Sequence, residues 1–93
     1  MANNLFVTYD LNTPGKDYES VINVIKSLGN WAKIQKSTWY VSSALTCEQA
    51  GKRVLAALDR NDSLMVVDAS GNNAYWYNVA PVAAEFIKSN WNK

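Results

Sequence analysis

The sequence predicts a single α+β domain over residues 1–93, built on an antiparallel sheet. Three observations predict it. Short β-rich runs recur at Leu5–Tyr9, Trp31–Lys36, Thr38–Ser42 and Leu64–Ala69. Two segments with helical spacing separate them. No repeat, low-complexity tract or linker splits the 93 residues, a length that suits one domain.

Leu5-Phe6-Val7-Thr8-Tyr9 is apolar and rich in β-formers, so it reads as a strand. It runs through Asp10 into the turn-rich Asn12-Thr13-Pro14-Gly15. A helix follows from about Asp17 to Leu28, where Tyr18, Val21, Ile22, Ile25 and Leu28 form one stripe. Asp17 and Glu19 suit its positive end, and Gly29 is a natural stop. Trp31–Lys36 and Thr38–Ser42 lie too close for a long loop and read as a hairpin.

Thr46-Cys47-Glu48-Gln49 has the spacing of a capping box and opens a second helix that runs to about Arg60. Its apolar stripe is Cys47, Ala50, Val54, Ala57 and Leu58. Leu64–Ala69 is a near-continuous apolar run, the mark of a strand covered on both faces. Ser70-Gly71-Asn72-Asn73 breaks it, and Tyr75-Trp76-Tyr77 has the makings of a short edge strand. Pro81 opens a last helix whose stripe of Val82, Phe86 and Ile87 must be buried somewhere.

The order β-α-β-β-α-β is the split βαβ pattern of the ferredoxin-like fold, with a four-stranded antiparallel sheet and an extra C-terminal helix. Two helices cover one sheet face. The other face is left for the third helix, a second subunit or a nucleic acid.

Composition narrows the chemistry. Nine basic against eight acidic side chains leave a net charge of +1, far from the strongly basic face of tight, non-specific nucleic-acid binders. With one cysteine and no histidine, an intrachain disulfide, a Cys/His zinc site and histidine acid–base catalysis are all excluded. Four Trp and five Tyr are many for this length and serve a core or an interface. No run approaches the ~20 apolar residues that span a bilayer, and no secretory leader is evident at the N-terminus. The expectation is a soluble, cytoplasmic protein with no membrane partner.

Three segments carry a family resemblance over about residues 4–69. They are Val7-Thr8-Tyr9-Asp10-Leu11, the stretch from Gly29 through Ile34-Gln35-Lys36-Ser37-Thr38-Trp39-Tyr40, and Asp62-Ser63-Leu64. In this order they resemble the CRISPR-associated protein 2-like family, small ferredoxin-like homodimers that act on nucleic acid. The chain departs from the family pattern at Asn12, where a further carboxylate is common, and at Lys16-Asp17-Tyr18, where arginines are common. From Tyr75 onward it is more similar to virulence-associated protein D, a related ribonuclease toxin fold. The resemblance implies a homodimer that binds RNA or DNA. It also implies a metal-dependent endonuclease activity, with Asp10 holding Mg²⁺ or Mn²⁺ and Ser37 near the phosphate. A non-catalytic interaction module and a toxin-like ribonuclease are the alternatives.

Each candidate has a plainer reading beside it. Phe6, Thr8 and Asp10 share one strand face, so a symmetry mate against that face could bring two Asp10 carboxylates together as hard oxygen ligands. Alternatively, Asp10 forms an Asx-turn with the Asn12–Gly15 loop. Ser37 either contacts a phosphate or the metal-bound water, or bonds nearby backbone within its hairpin. Lys16, Lys33 and Lys36 with Trp31 and Trp39 could make a basic, aromatic surface for single-stranded nucleic acid. In the plainer reading the tryptophans fill core or interface and the lysines are solvated. Cys47 reads as a packed, inert thiol. Asp62 reads as a turn cap, and Asp68, in an apolar strand, stays open as a second carboxylate.

Overall fold

Alternation along the first strand sets the architecture. In β1 (Asn3–Asp10), Leu5, Val7 and Tyr9 are buried, while Asn4, Phe6, Thr8 and Asp10 are exposed. Successive side chains of a strand point to opposite faces, so the sheet has one covered and one open side. The computed structural model describes residues 2–12 and 18–91. The elements after β1 are α1 (Tyr18–Ser27), β2 (Asn30–Gln35), β3 (Thr38–Ser43), α2 (Cys47–Leu55), β4 (Ser63–Asp68), β5 (Asn73–Tyr77) and α3 (Pro81–Asn90).

The strands form one five-stranded sheet in the order β2-β3-β1-β4-β5, with every neighbouring pair antiparallel. Four strands were expected. The fifth arises because Asn73–Tyr77 pairs with β4 from Leu64 to Asp68 and not merely at its end. The β2 pairing carries a register shift between Lys33 and Gln35.

The core lies between the sheet and the α1–α2 layer. Val21 and Ile25 of α1, Ala50 and Val54 of α2, and Leu5, Val7, Trp39, Val41, Leu64 and Val66 of the sheet are all buried there. Tyr9 and Trp39 hold their Oη and Nε1 without a partner among the described residues, so their contribution is apolar burial. Two glycines are required by close approach. A Cβ on Gly29 would sit 2.1 Å from the Ser42 carbonyl oxygen, and one on Gly51 would sit 2.1 Å from the Tyr75 ring.

The capping box forms as the sequence predicts. The Gln49 N–H donates to Thr46 Oγ1 at 3.1 Å, and the Thr46 N–H donates to Gln49 Oε1 at 3.0 Å. The helix ends at Leu55, earlier than the expected Arg60. There the chain tightens, with Ala57 and Leu58 N–H groups bonding carbonyls three residues back. The Asp59 N–H is then drawn away to Asp62 Oδ2.

Two further expectations change. β4 is covered fully on one face only: Leu64, Val66 and Asp68 are buried, whereas Ser63, Met65 and Val67 are half-buried. The α3 stripe is also not buried within the chain, since Val82 is 86% and Phe86 68% exposed. Ala84, Ile87 and Asn90, at helical spacing, form the half-buried face instead. The helix returns over β5 on the open side, and its far end is tied where Trp91 Nε1 donates to the Asn72 carbonyl at 2.9 Å.

Candidate functional site at the sheet ends and the β2 edge

The C-terminal end of β1 gathers several of the sequence candidates. Asp10 sits opposite Ser63 in the β1–β4 register. The Tyr9 N–H donates to the Ser37 carbonyl at 3.1 Å, so the β2–β3 turn, with Lys36 and Ser37, lies beside Asp10. Asp10 lines a cleft of about 370 Å³ with Thr8, Ser63, Met65, Asn78 and Ala80. Ser37 takes part here through its backbone carbonyl.

The Asn12 N–H, the donor an Asx-turn at Asp10 would use, goes instead to Asp62 Oδ1 at 2.8 Å. The rest of that loop, including Lys16, lies outside the described residues. Asp10 is therefore exposed on the open face at the cleft.

Asp62 is a structural carboxylate. It is fully buried, and its two oxygens accept from Asn12 and Asp59 N–H groups at 2.8 Å each. Its own carbonyl accepts from Asn78 Nδ2 at 3.1 Å. The turn-cap reading from sequence holds. Asp68 caps the β4–β5 turn, its Oδ1 accepting from Ser70 and Gly71 N–H groups at 2.9 and 3.1 Å. It pairs with Leu5, five residues up β1 from Asp10 and on the other sheet face. At about 3.3 Å per residue that is roughly 17 Å along the strand, beyond sharing one cation.

Among the described residues no three carboxylate or thiol groups are placed to hold a metal. Among the described residues Asp10 belongs to no such group, and one carboxylate does not fit a metal centre by itself. Cys47 is buried, and burial first and the Asp68 carboxylate second push its thiol above the ordinary value of 9.0. A protonated, packed thiol is a poor nucleophile.

The β2 edge has a different character. Trp31 is 46% exposed and meets the buried Trp39 edge-on, with ring centroids 5.4 Å apart. Lys26 Nζ from α1 stands 4.6 Å over the Trp31 ring, and Lys33 Nζ 5.7 Å over the Trp39 ring. Lys26 is the member that sequence reasoning missed. Its signal was present: between Glu19 and Glu48 the chain carries Lys26, Lys33 and Lys36 and no acidic residue. The near-neutral total hides a basic strip at this edge. Trp39 does not present itself for stacking, because it is core.

Comparison with family models, with curated proteins and with solved structures finds no match to this chain.

Proposed function

We propose that the protein is a dimeric, single-strand nucleic-acid-binding module of ferredoxin-like type, similar to the CRISPR-associated protein 2-like family. The strand order β2-β3-β1-β4 with α1 and α2 on one face supports the fold assignment. The observation that carries the binding reading is the exposed Trp31 ring under Lys26, with Lys33 over the adjoining Trp39 ring, in a stretch between Glu19 and Glu48 that holds no acidic residue. Bases stack on an aromatic face regardless of sequence, and lysines track the backbone phosphates. Lys36 in the neighbouring turn extends the strip.

The test is fluorescence titration of the intact chain with short DNA and RNA oligonucleotides. Trp31→Ala should weaken binding about ten-fold, from a stacking contribution of about 1–3 kcal/mol per base. Lys26→Gln and Lys33→Gln should each weaken it further without changing the melting temperature. Equal binding by all variants would refute the reading.

A second reading is metal-dependent cleavage at Asp10, favoured by the exposure of that carboxylate beside the Lys36–Ser37 turn. It requires a further carboxylate, as two Asp10 side chains across a dimer would supply, since the described residues of one chain hold no group of three that fits a cation. Cleavage that needs Mg²⁺ or Mn²⁺ and is lost in Asp10→Asn is its expected signature. Activity surviving Asp10→Asn, or persisting in excess chelator, rules it out.

A further inference from the structure

Asp68 is a carboxylate that the fold leaves uncompensated. It stands on the covered face of β4 with Leu64 and Val66 and is only 5% exposed. Its Oδ1 is occupied by the Ser70 and Gly71 N–H groups of the turn. Among the described residues its Oδ2 accepts from no donor, and no lysine or arginine pairs with the group. Buried charges are ordinarily paired, because taking an ion out of water is costly. Oδ2 is not sealed in, either. The enclosed side-chain polar atoms that lack a partner among the described residues are Tyr9 Oη and Trp39 Nε1.

Asp68 opens instead onto a cleft of about 310 Å³ between the first turn of α2 and the start of β5. The cleft lies at the border of the sheet opposite β2. Its other walls include Cys47, Glu48, Asn73 and Tyr75, and no basic side chain among the described residues lines it. Asn73 spends its amide donor on the Gly71 carbonyl at 3.0 Å, which leaves its Oδ1 as an acceptor. Glu48 adds an exposed carboxylate, 3.0 Å from Lys52 Nζ. The Tyr75 ring is a fixed wall, seated so closely on α2 that a Cβ on Gly51 would lie 2.1 Å from it. The Cys47 thiol is uncharged at neutral pH, and after burial the Asp68 charge is what raises it most. The cleft thus offers acceptors, net negative charge and one aromatic face.

We propose that this cleft binds a small primary amine as its ammonium ion, with Asp68 Oδ2 as the anchoring acceptor. An ammonium carries three donors, which Asp68 Oδ2, Asn73 Oδ1 and the Glu48 carboxylate can receive. The alkyl stem lies against the Tyr75 ring, which also attracts the cation. A guanidinium suits the site less well, because its paired donors call for both oxygens of a carboxylate and the turn holds Oδ1. A divalent metal suits it less well again, because Asp68 belongs to no group of three metal-ligating side chains among the described residues. The site is separate from the Trp31 strip and stands whether or not the chain binds nucleic acid.

Titration of the intact chain with n-butylammonium, followed by calorimetry and by backbone amide NMR, tests the site. The expected result is millimolar affinity, with amide shifts centred on Ser70, Gly71 and Asn73. Asp68→Asn keeps an oxygen for the two turn N–H groups and places an amide donor where Oδ2 stood. It should leave the melting temperature nearly unchanged and weaken binding at least about ten-fold, the loss of one hydrogen bond to a charged group. Glu48→Gln, on the exposed face of α2, should weaken binding about three-fold without touching the turn. The neutral isostere n-butanol should produce no shifts at these amides. Absence of any response to n-butylammonium overturns the proposal. So does equal binding of n-butanol, or unchanged affinity in both variants.

Discussion

Asp62 shows how one side chain can fix a junction. Its carboxylate collects N–H groups from the end of β1 and from the loop after α2, in a fully buried setting. Hydrogen bonds to a charged acceptor contribute about 1.5–3 kcal/mol each, and donors left unsatisfied in a buried site cost a similar amount. Asp62→Ala should therefore lower stability by about 3 kcal/mol in denaturant melts. Asp62→Asn should recover only part of it, since an amide presents donors of its own to one of the two N–H groups. Cys47 gives a second expectation at this scale. Its folded thiol keeps its proton to higher pH than the unfolded thiol. Above about pH 9 the unfolded state loses that proton first, so stability falls as pH rises toward the folded value. Cys47→Ala should flatten that alkaline decline in melts between pH 8 and 11, and the native thiol should resist alkylation at pH 7.

Elements differ in how far the sequence specifies them. The start of α2 was legible because the capping box is local, made by Thr46 and Gln49 three residues apart. Its end was not, because a carboxylate further along the chain, Asp62, takes the Asp59 N–H that a continuing helix would use. Alternation in β1 correctly placed Asp10 with Phe6 and Thr8. Nothing local revealed that Asn12 would bond Asp62, which a turn at Asp10 would have prevented. The α3 stripe announced an apolar face but not its direction, since amphipathicity states that a face is to be covered and not by what. With no fully buried residue, α3 adds little to the monomer. Ending the chain at Ala80 should move the melting temperature by less than about 4 °C, the equivalent of roughly 1 kcal/mol or less for a domain this size. A larger fall would show that α3 belongs to the folding unit.

For the whole molecule, the net charge of +1 and the three-lysine strip make different forecasts. Binding driven by total charge would be weak at any salt concentration. Binding through Lys26, Lys33 and Lys36 should show a logarithmic salt slope of about −2, from roughly 0.7 counterions released per phosphate on a single strand. The slope should fall by about 0.7 with each Lys→Gln change. Titrations at several salt concentrations separate a surface patch from a global field. The distinction was invisible in the total composition, because the acidic residues that balance the count lie elsewhere in the chain.

The register shift in β2 has a consequence for the protein in a crowded solution. An outer strand with free N–H and C=O groups invites another chain to continue the ladder, and repetition of that event builds fibrils. β2 is exposed along its full length, yet its pairing slips between Lys33 and Gln35, and a lysine projects from the irregular stretch. A straight incoming strand finds its hydrogen-bonding groups out of step and a charge in its path. The opposite outer strand, β5, is only five residues long. Growth by edge-to-edge polymerisation is disfavoured at both borders, so a chain rich in exposed aromatics can remain in discrete particles at high concentration.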